Sequence, residues 1–225
     1  MASPRHRTPS TDVARAILDA AAELLEESGP SALSIRAIAE RAQVAPMGVY
    51  NHFGDKSTVL DRLYQRGAQD FQAALAEKRD DPDPLIALRS VGQAYRRFAQ
   101  EHSAEFSLLF LQPIPGFLPS PESHRAVLDA FQILVEAISR CQESGLLDSG
   151  STIELARFIW ASIHGFVLLE RTSWSEVTGQ PGDEGFEAFL DHLGQGFLVE
   201  VGSDGKYWPT SRSIGRQQQI RKGST

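Results

Sequence analysis

The stretch from Leu33 to Lys56 carries the clearest chemistry in the sequence. Two short amphipathic patterns there predict two helices joined by a tight turn, which is the arrangement of a helix-turn-helix. Such a motif braces one helix across a nucleic-acid backbone and places the other in the major groove. The side chains left outward offer donors, an aromatic ring that can stack and little negative charge: Arg36, Met47, Gly48, Tyr50, Asn51, His52 and Lys56. The stretch therefore predicts a local DNA-binding surface.

Capping residues indicate where these helices begin and end. Ser34 can cap the free amides of the second helix. Pro46 suits the first turn of the third, because its φ is fixed and its missing donor is not needed there. Gly54 breaks the third helix, and Asp55 or Ser57 can cap a long fourth one. The apolar residues expected to set the angle between the two short helices are Ile35, Ile38, Ala39, Ala42, Val44, Val49 and Phe53.

Helical spacing continues over almost all of residues 11–201, and no stretch shows the sustained alternation of a half-buried strand. We therefore predict an all-α fold of about nine helices. The expected segments are a flexible arm (1–10), the helix-turn-helix domain (11–57), a C-terminal helical ligand-binding and dimerisation domain (58–201) and a basic tail (202–225). The tail suits either a solvated disordered end or a contact with phosphate. Four prolines predict a loop over residues 112–121.

Composition narrows the classes of protein that fit. The 225 residues carry 22 Lys and Arg against 29 Asp and Glu, a net charge of −7, so any nucleic-acid contact must be a local patch. The single cysteine, Cys141, excludes an intramolecular disulfide and fits a reducing compartment. The basic N-terminus has no apolar stretch behind it, and the apolar run 155–169 is shorter than the roughly 18–20 residues that a bilayer requires. These features predict a cytoplasmic protein without a membrane partner.

Enzymatic chemistry has little support in the sequence. The six histidines are scattered without metal-ligand spacing, and there is no nucleophile elbow. The segment 202–206 is too short for a phosphate-binding loop and opens no helix. We predict no catalytic residue, no metal site and no cofactor.

The same stretch resembles the DNA-binding domain of the tetracycline-repressor (TetR) family. That family opens its second helix with a leucine and a hydroxyl residue, continues with Ile-Ala-x-x-Ala and closes with Tyr-x-His-Phe-x-x-Lys. Leu33-Ser34, the segment 38–42 and the segment 50–56 match in order and spacing. The resemblance covers about residues 11–65 and is more specific than a bare helix-turn-helix pattern.

The resemblance implies a role for each matching position. Ser34, Arg36, His52 and Lys56 would hold phosphates, and Tyr50 would pack on sugar and phosphate, which positions the domain. Met47, Gly48 and Asn51 would read the sequence, since Asn can bridge adenine N6 and N7 and Met can contact a thymine methyl. Pro46, which opens their helix, belongs to the same DNA-binding set. Two residues depart from the pattern. Gln43 stands where many members have glycine and must accept a positive φ, and Met47-Gly48 stands where Gly-Thr is common.

Further along, Trp160 to Gly165 resembles the Trp-x-x-x-His-Gly motif of a TetR C-terminal subgroup. Trp160 and His164 share one helix face and would line a ligand pocket or the dimer seam, or form a satisfied core pair against the fifth and seventh helices. Phe106, Phe110, Phe117 and Phe131 are compatible with a cavity for a small apolar or aromatic effector, or with ordinary core packing.

The family forms dimers through its last two helices, here expected at 153–172 and 184–201. Phe186, Phe189, Leu193 and Phe197 fall on one face of the last helix. The resemblance thus implies a homodimer on a near-palindromic operator and a ligand-responsive regulator, most simply a repressor. The alternative is a helical protein-interaction module without DNA binding.

Overall fold

A computed structural model describes residues 10–111, 114–172, 182–197, 199–201 and 207–209. The described residues form nine α-helices: α1 (Ser10–Ser28), α2 (Ile35–Arg41), α3 (Pro46–Phe53), α4 (Lys56–Ala76), α5 (Pro84–Glu101), α6 (Ser103–Phe110), α7 (Pro121–Glu143), α8 (Thr152–Glu170) and α9 (Gly182–Gln195). A single 3₁₀ turn, Pro30–Ala32, precedes α2. The predicted all-α fold is confirmed.

The chain divides into two compact units that differ from the predicted domains. Residues 1–72 and 98–130 form the first unit, and residues 73–97 and 131–225 form the second. The helix-turn-helix therefore shares its unit with most of α4, with α6 and with the start of α7, whereas the predicted domain spans only 11–57. The reason is packing, because the apolar faces of these later helices bury part of the same core.

The core of the first unit holds the three N-terminal helices together. Ile17 of α1, Ile38 of α2 and Val49 of α3 are fully buried, and Val59 and Leu63 of α4 join them. Each such side chain contributes on the order of 1.5–3 kcal/mol by leaving water. This core fixes the angle between α2 and α3.

In the second unit, α5 packs closely on α8 and α9. A Cβ placed on Gly92 would lie 3.1 Å from a methyl of Leu190 and 3.2 Å from one of Ile163. The glycine therefore sets the separation of these helices. The buried Cys141 thiol donates to the carbonyl of Pro84 at 3.2 Å.

The end of the chain differs from the prediction. The last helix ends at Gln195 and does not continue to Val201. Residues 199–201 form a strand that pairs antiparallel with residues 207–209. Gly194 and Gly196 weaken the helix there, and β-branched Val199 and Val201 favour a strand. The predicted tail thus contains a paired strand; its other residues, the arm 1–9, and residues 112 and 113 of the predicted loop lie outside the described part.

Candidate nucleic-acid interface

Helix α3 is anchored on one side and open on the other. Val49 is fully buried, whereas Met47 is 64% exposed and Tyr50 is 48% exposed. Asn51 and His52 are exposed as well. Because residues three and four apart share a helix face, Met47, Tyr50 and Asn51 form one continuous outward surface. That is the geometry a helix needs in order to meet base edges.

The turn before α3 contains the predicted strained residue. Gln43 adopts a φ of 55°, the left-handed region in which a side chain is disfavoured. The amide of Val44 donates to the carbonyl of Ala39 at 2.9 Å and closes the turn. Gly48 has no such constraint, because a Cβ there would make an ordinary 3.7 Å contact with Val44. Packing within the described chain therefore does not require glycine at position 48.

Two side chains cap the helices that carry the predicted phosphate ligands. The Ser34 hydroxyl accepts from the amide of Ala37 at 3.1 Å, so its own proton is left for another acceptor. The Asp55 carboxylate accepts from the amide of Thr58 at 2.8 Å, and this backbone hydrogen bond lowers the pKa of Asp55. Asp55 is therefore the cap of α4, and Ser57 is not. The cap places Lys56 at the first residue of α4.

Of the two arginines of α2, one forms ion pairs and the other forms none within the described residues. Arg41 donates to Glu23 at 3.0 Å and to Glu27 at 2.6 Å, both on α1. The hydrogen bond from Arg41 lowers the pKa of Glu27. Arg36 is exposed, and within the described residues neither it nor Lys56 takes part in an ion pair. Arg41 thus ties α2 to α1, whereas Arg36 and Lys56 keep uncompensated charge beside α3.

The five predicted ligand residues do not form one site inside either unit. Phe106 is fully buried in the first unit, where its ring centroid lies 5.1 Å from that of Phe110. Phe131, Trp160 and His164 belong to the second unit, with ring centroids 5.8–5.9 Å apart along the series. Phe117 lies in the first unit beside Tyr64.

Trp160 and His164 meet a tyrosine that the sequence did not single out. Tyr95 of α5 lies with its hydroxyl oxygen 2.5 Å from Nδ1 of His164, and the Trp160 side chain also hydrogen bonds to Tyr95. Burial raises the pKa of Tyr95 and lowers the pKa of His164, so both side chains are neutral at pH 7. Trp160 thus contacts Tyr95 of α5 and Phe131 of α7, and 38% of its surface stays exposed.

An apolar cavity of about 410 Å³ lies elsewhere in the second unit. It lies between the start of α5, the middle of α8 and the end of α9 with the residues that follow it, and it opens to solvent. Its lining includes Leu85, Leu88, Ile159, Ile163, Leu193 and Phe197. Arg89 and Asp191 also line the cavity and form an ion pair, with 2.6 Å between the guanidinium nitrogen and the carboxylate oxygen. No sequence pattern predicts this cavity, because its lining residues follow the same helical spacing as core residues.

The outer surface of α8 is unusually apolar. Phe158 is 54% exposed, and Ile153, Trp160 and Leu169 are exposed to a lesser degree. The helix extends the apolar run 155–169 to 19 residues, so by length and composition alone it could cross a membrane; 22% of its 18-residue apolar window is buried. Part of the apolar face predicted on the last helix is buried within the second unit. The ring centroid of Phe166 lies 5.2 Å from that of Phe186 and 4.7 Å from that of Phe189.

Together, the exposed α3, its buried anchor and the capped flanking helices define an all-α helix-turn-helix protein. Residues 17–63 match the family described as bacterial regulatory proteins, tetR family. Residues 88–193 match the family described as tetracyclin repressor-like, C-terminal domain. The chain belongs to the tetracycline-repressor family and is a DNA-binding transcriptional regulator. Members of this family are typically not enzymes.

Relatives and solved structures agree with this assignment. The chain is 24% identical over 153 residues to YobS, an uncharacterized HTH-type transcriptional regulator of Bacillus subtilis, covering 68% of this chain and 76% of that protein. It is 46% identical over 68 residues to an HTH-type transcriptional repressor of Mycobacterium tuberculosis, covering 28% and 36%. A protein of unknown function from Rhodococcus sp. RHA1 has a similar structure, with a TM-score of 0.74, 25% identity and coverage of 87% and 99%. The TetR-family regulator PfmR from Thermus thermophilus shares the fold, with a TM-score of 0.64, 21% identity and coverage of 79% and 94%.

Proposed function

We propose that this regulator is a cytoplasmic repressor that binds a near-palindromic operator as a homodimer and is released by a small apolar molecule. The observation that carries the proposal is the exposed face of α3 beside the uncompensated charges of Arg36 and Lys56. Met47, Gly48 and Asn51 would meet base edges, and Ser34, Arg36, Tyr50, His52 and Lys56 would hold the backbone. Two such helices would reach half-sites roughly 34–36 Å apart.

The apolar cavity of the second unit is the effector site that we favour. Its lining is mostly aliphatic, and the charge of Arg89 is already balanced by Asp191 and Glu187. An uncharged apolar molecule suits it, because a charged ligand would lose hydration against a mostly aliphatic lining. For an aromatic effector, the cluster of Phe131, Trp160 and His164 is the second contact site that we propose.

Release of DNA requires that the effector bind the released conformation more tightly. A hundredfold loss of operator affinity requires about 2.7 kcal/mol of such preference. Helix α4 is one continuous element from Lys56 to Ala76, and residues of both units belong to it. We propose that movement of α4 carries the effect to α3.

The proposal is tested by fluorescence anisotropy with DNA fragments recovered from a random pool by the purified protein. We expect binding that is fragment-specific and falls steeply with salt, because phosphate contacts release counterions. Uncharged apolar compounds should then dissociate the complex. Leu88→Trp, which fills the cavity, should abolish this release while DNA binding persists, and Leu128→Trp, at an exposed position outside it, should not. Failure to recover any specific fragment would favour the helical interaction module.

For the dimer, we propose that the exposed face of α8 packs on a second copy of the chain. Ala161 and Gly165 lie four residues apart on α8, and a Cβ at Gly165 would have no atom within 4 Å. Small residues on an otherwise apolar face allow a partner helix to approach closely. Burial of Phe158 and Leu169 would supply the driving force.

Gly165→Leu separates dimerisation from folding. The isolated chain has open space at this position and leucine favours a helix, so we expect helix content and thermal stability of the protomer to be kept or raised. A partner helix would collide with the new side chain, and sedimentation should therefore show a dimer weakened at least tenfold. Gly150→Leu, also in open space but outside α8, serves as the control. A dimer of unchanged affinity in Gly165→Leu would show that α8 does not form the interface.

A further inference from the structure

A basic groove lies on the first unit, between α1 and α4 and beside the last turn of α3. Its volume is about 460 Å³, and it is open to solvent. Its polar lining consists of Arg15, His52, Thr58, Arg62, Gln65, Arg66 and Gln69. We call this surface the α1–α4 groove.

The charge in the α1–α4 groove is only partly balanced. Arg66 is paired with Asp19 at 2.5 Å and with Glu105 at 3.4 Å. Arg62 is exposed and donates to the neutral amide of Gln65, at 2.7 Å, and no described carboxylate pairs with it. Arg15 is exposed and makes no ion pair within the described residues. Among those residues no carboxylate lines the groove, although the chain as a whole has a net charge of −7.

The α1–α4 groove is continuous with the surface that faces DNA. His52 lines the groove and also closes α3, so the groove begins where the base-reading helix ends. A guanidinium matches phosphate geometry through two parallel hydrogen bonds. Arg15 and Arg62 form no ion pair within the described residues, so their guanidiniums suit successive backbone phosphates. A duplex that extends past the half-site offers such phosphates.

We propose that the α1–α4 groove binds backbone phosphates of DNA flanking the half-site, through Arg15 and Arg62. This inference rests on the proposed DNA-binding function and extends the contact surface beyond the helix-turn-helix. It assigns an affinity role to these arginines and no role in base readout, because phosphate contacts carry no direct sequence information.

The test uses the full chain and one selected operator in two lengths, trimmed to the half-sites or extended by flanking base pairs of random sequence. The double variant Arg15→Gln with Arg62→Gln is compared with Lys78→Gln plus Arg125→Gln, which removes the same charge at exposed positions outside the groove. The wild type should bind the extended fragment more tightly and with a steeper dependence on salt. In the groove variant the slope should fall by about 2 per bound subunit, roughly 1 for each arginine.

The outcomes separate the groove from the operator surface. The proposal is supported if the groove variant no longer binds the extended fragment more tightly than the trimmed one, while its affinity for the trimmed fragment and its thermal stability are unchanged. It is overturned if the groove variant loses the same affinity for both fragments, or if it prefers the extended fragment as strongly as the wild type does. Operator binding stands in either case. A third outcome would also overturn the proposal. If the wild type binds pyrophosphate saturably without DNA, and the groove variant loses this binding but still prefers the extended fragment, the groove is a site for a free phosphate compound. If no fragment is bound specifically, the proposed function fails as well.

Discussion

Asn51→Ala is expected to change which DNA sequence the protein prefers. The side chain lies on the exposed face of α3 with Met47 and Tyr50, where its amide can bridge adenine N6 and N7. A bidentate contact of this kind is worth about 1–3 kcal/mol of discrimination, roughly 5- to 150-fold. Selection from a random-sequence pool should therefore recover fragments that have lost one defined base preference in each half-site.

Lys56→Ala is the matched variant, because Lys56 begins α4 beside the same surface and would contact phosphate. It should weaken all fragments to a similar degree and lower the salt slope by about 1 per bound subunit, with the preferred sequence unchanged. The assignment of Asn51 as a reading residue would be wrong if Asn51→Ala recovered the wild-type sequences and lost affinity evenly. Circular dichroism of both variants checks that α3 remains folded.

Arg96→Met is expected to give the largest loss of stability of any single change of a charged residue in the second unit. The Arg96 side chain is only 9% exposed, and its guanidinium donates twice to Glu170, at 2.8 Å, and once to Asp183, at 2.6 Å. It also lies 5.1 Å from the ring centroid of Phe186. Removing one partner of a buried pair leaves a carboxylate without compensation, so the cost should be about 3 kcal/mol.

Arg89→Met provides the comparison, since Arg89 also lies on α5 and also pairs with two carboxylates, Glu187 and Asp191. Its side chain is 37% exposed, and water screens such a pair, so its loss should cost about 1 kcal/mol or less. Urea denaturation at fixed protein concentration measures both values. Equal costs for the two variants would contradict the view that burial gives Arg96 its importance.

Because Arg96 joins the end of α8 to the start of α9, its loss should also weaken the dimer.

Much of the fold was predictable because its signals are local. Ser34, Pro46 and Gly54 determine helix ends through the backbone amides and φ angles next to them, and the structure has α2 and α3 where these residues predict them. The positive φ of Gln43 was implied by the family resemblance, since many members have glycine at this turn position. Helical spacing alone separated Val49, which faces the core, from Met47 and Asn51, which face outward.

Other features depend on residues far apart in the sequence, and only the tertiary structure decided them. Arg41 and Arg36 are both exposed helix positions by spacing, yet Arg41 is neutralised by two glutamates of α1. Tyr95 contacts Trp160 and His164, although it lies 69 residues before His164 in the sequence. The apolar cavity and the α1–α4 groove each combine three elements or more, and no local pattern encodes which side chains face the same space. Helix ends thus follow from short-range backbone chemistry, whereas charge balance and cavities follow from packing between distant segments.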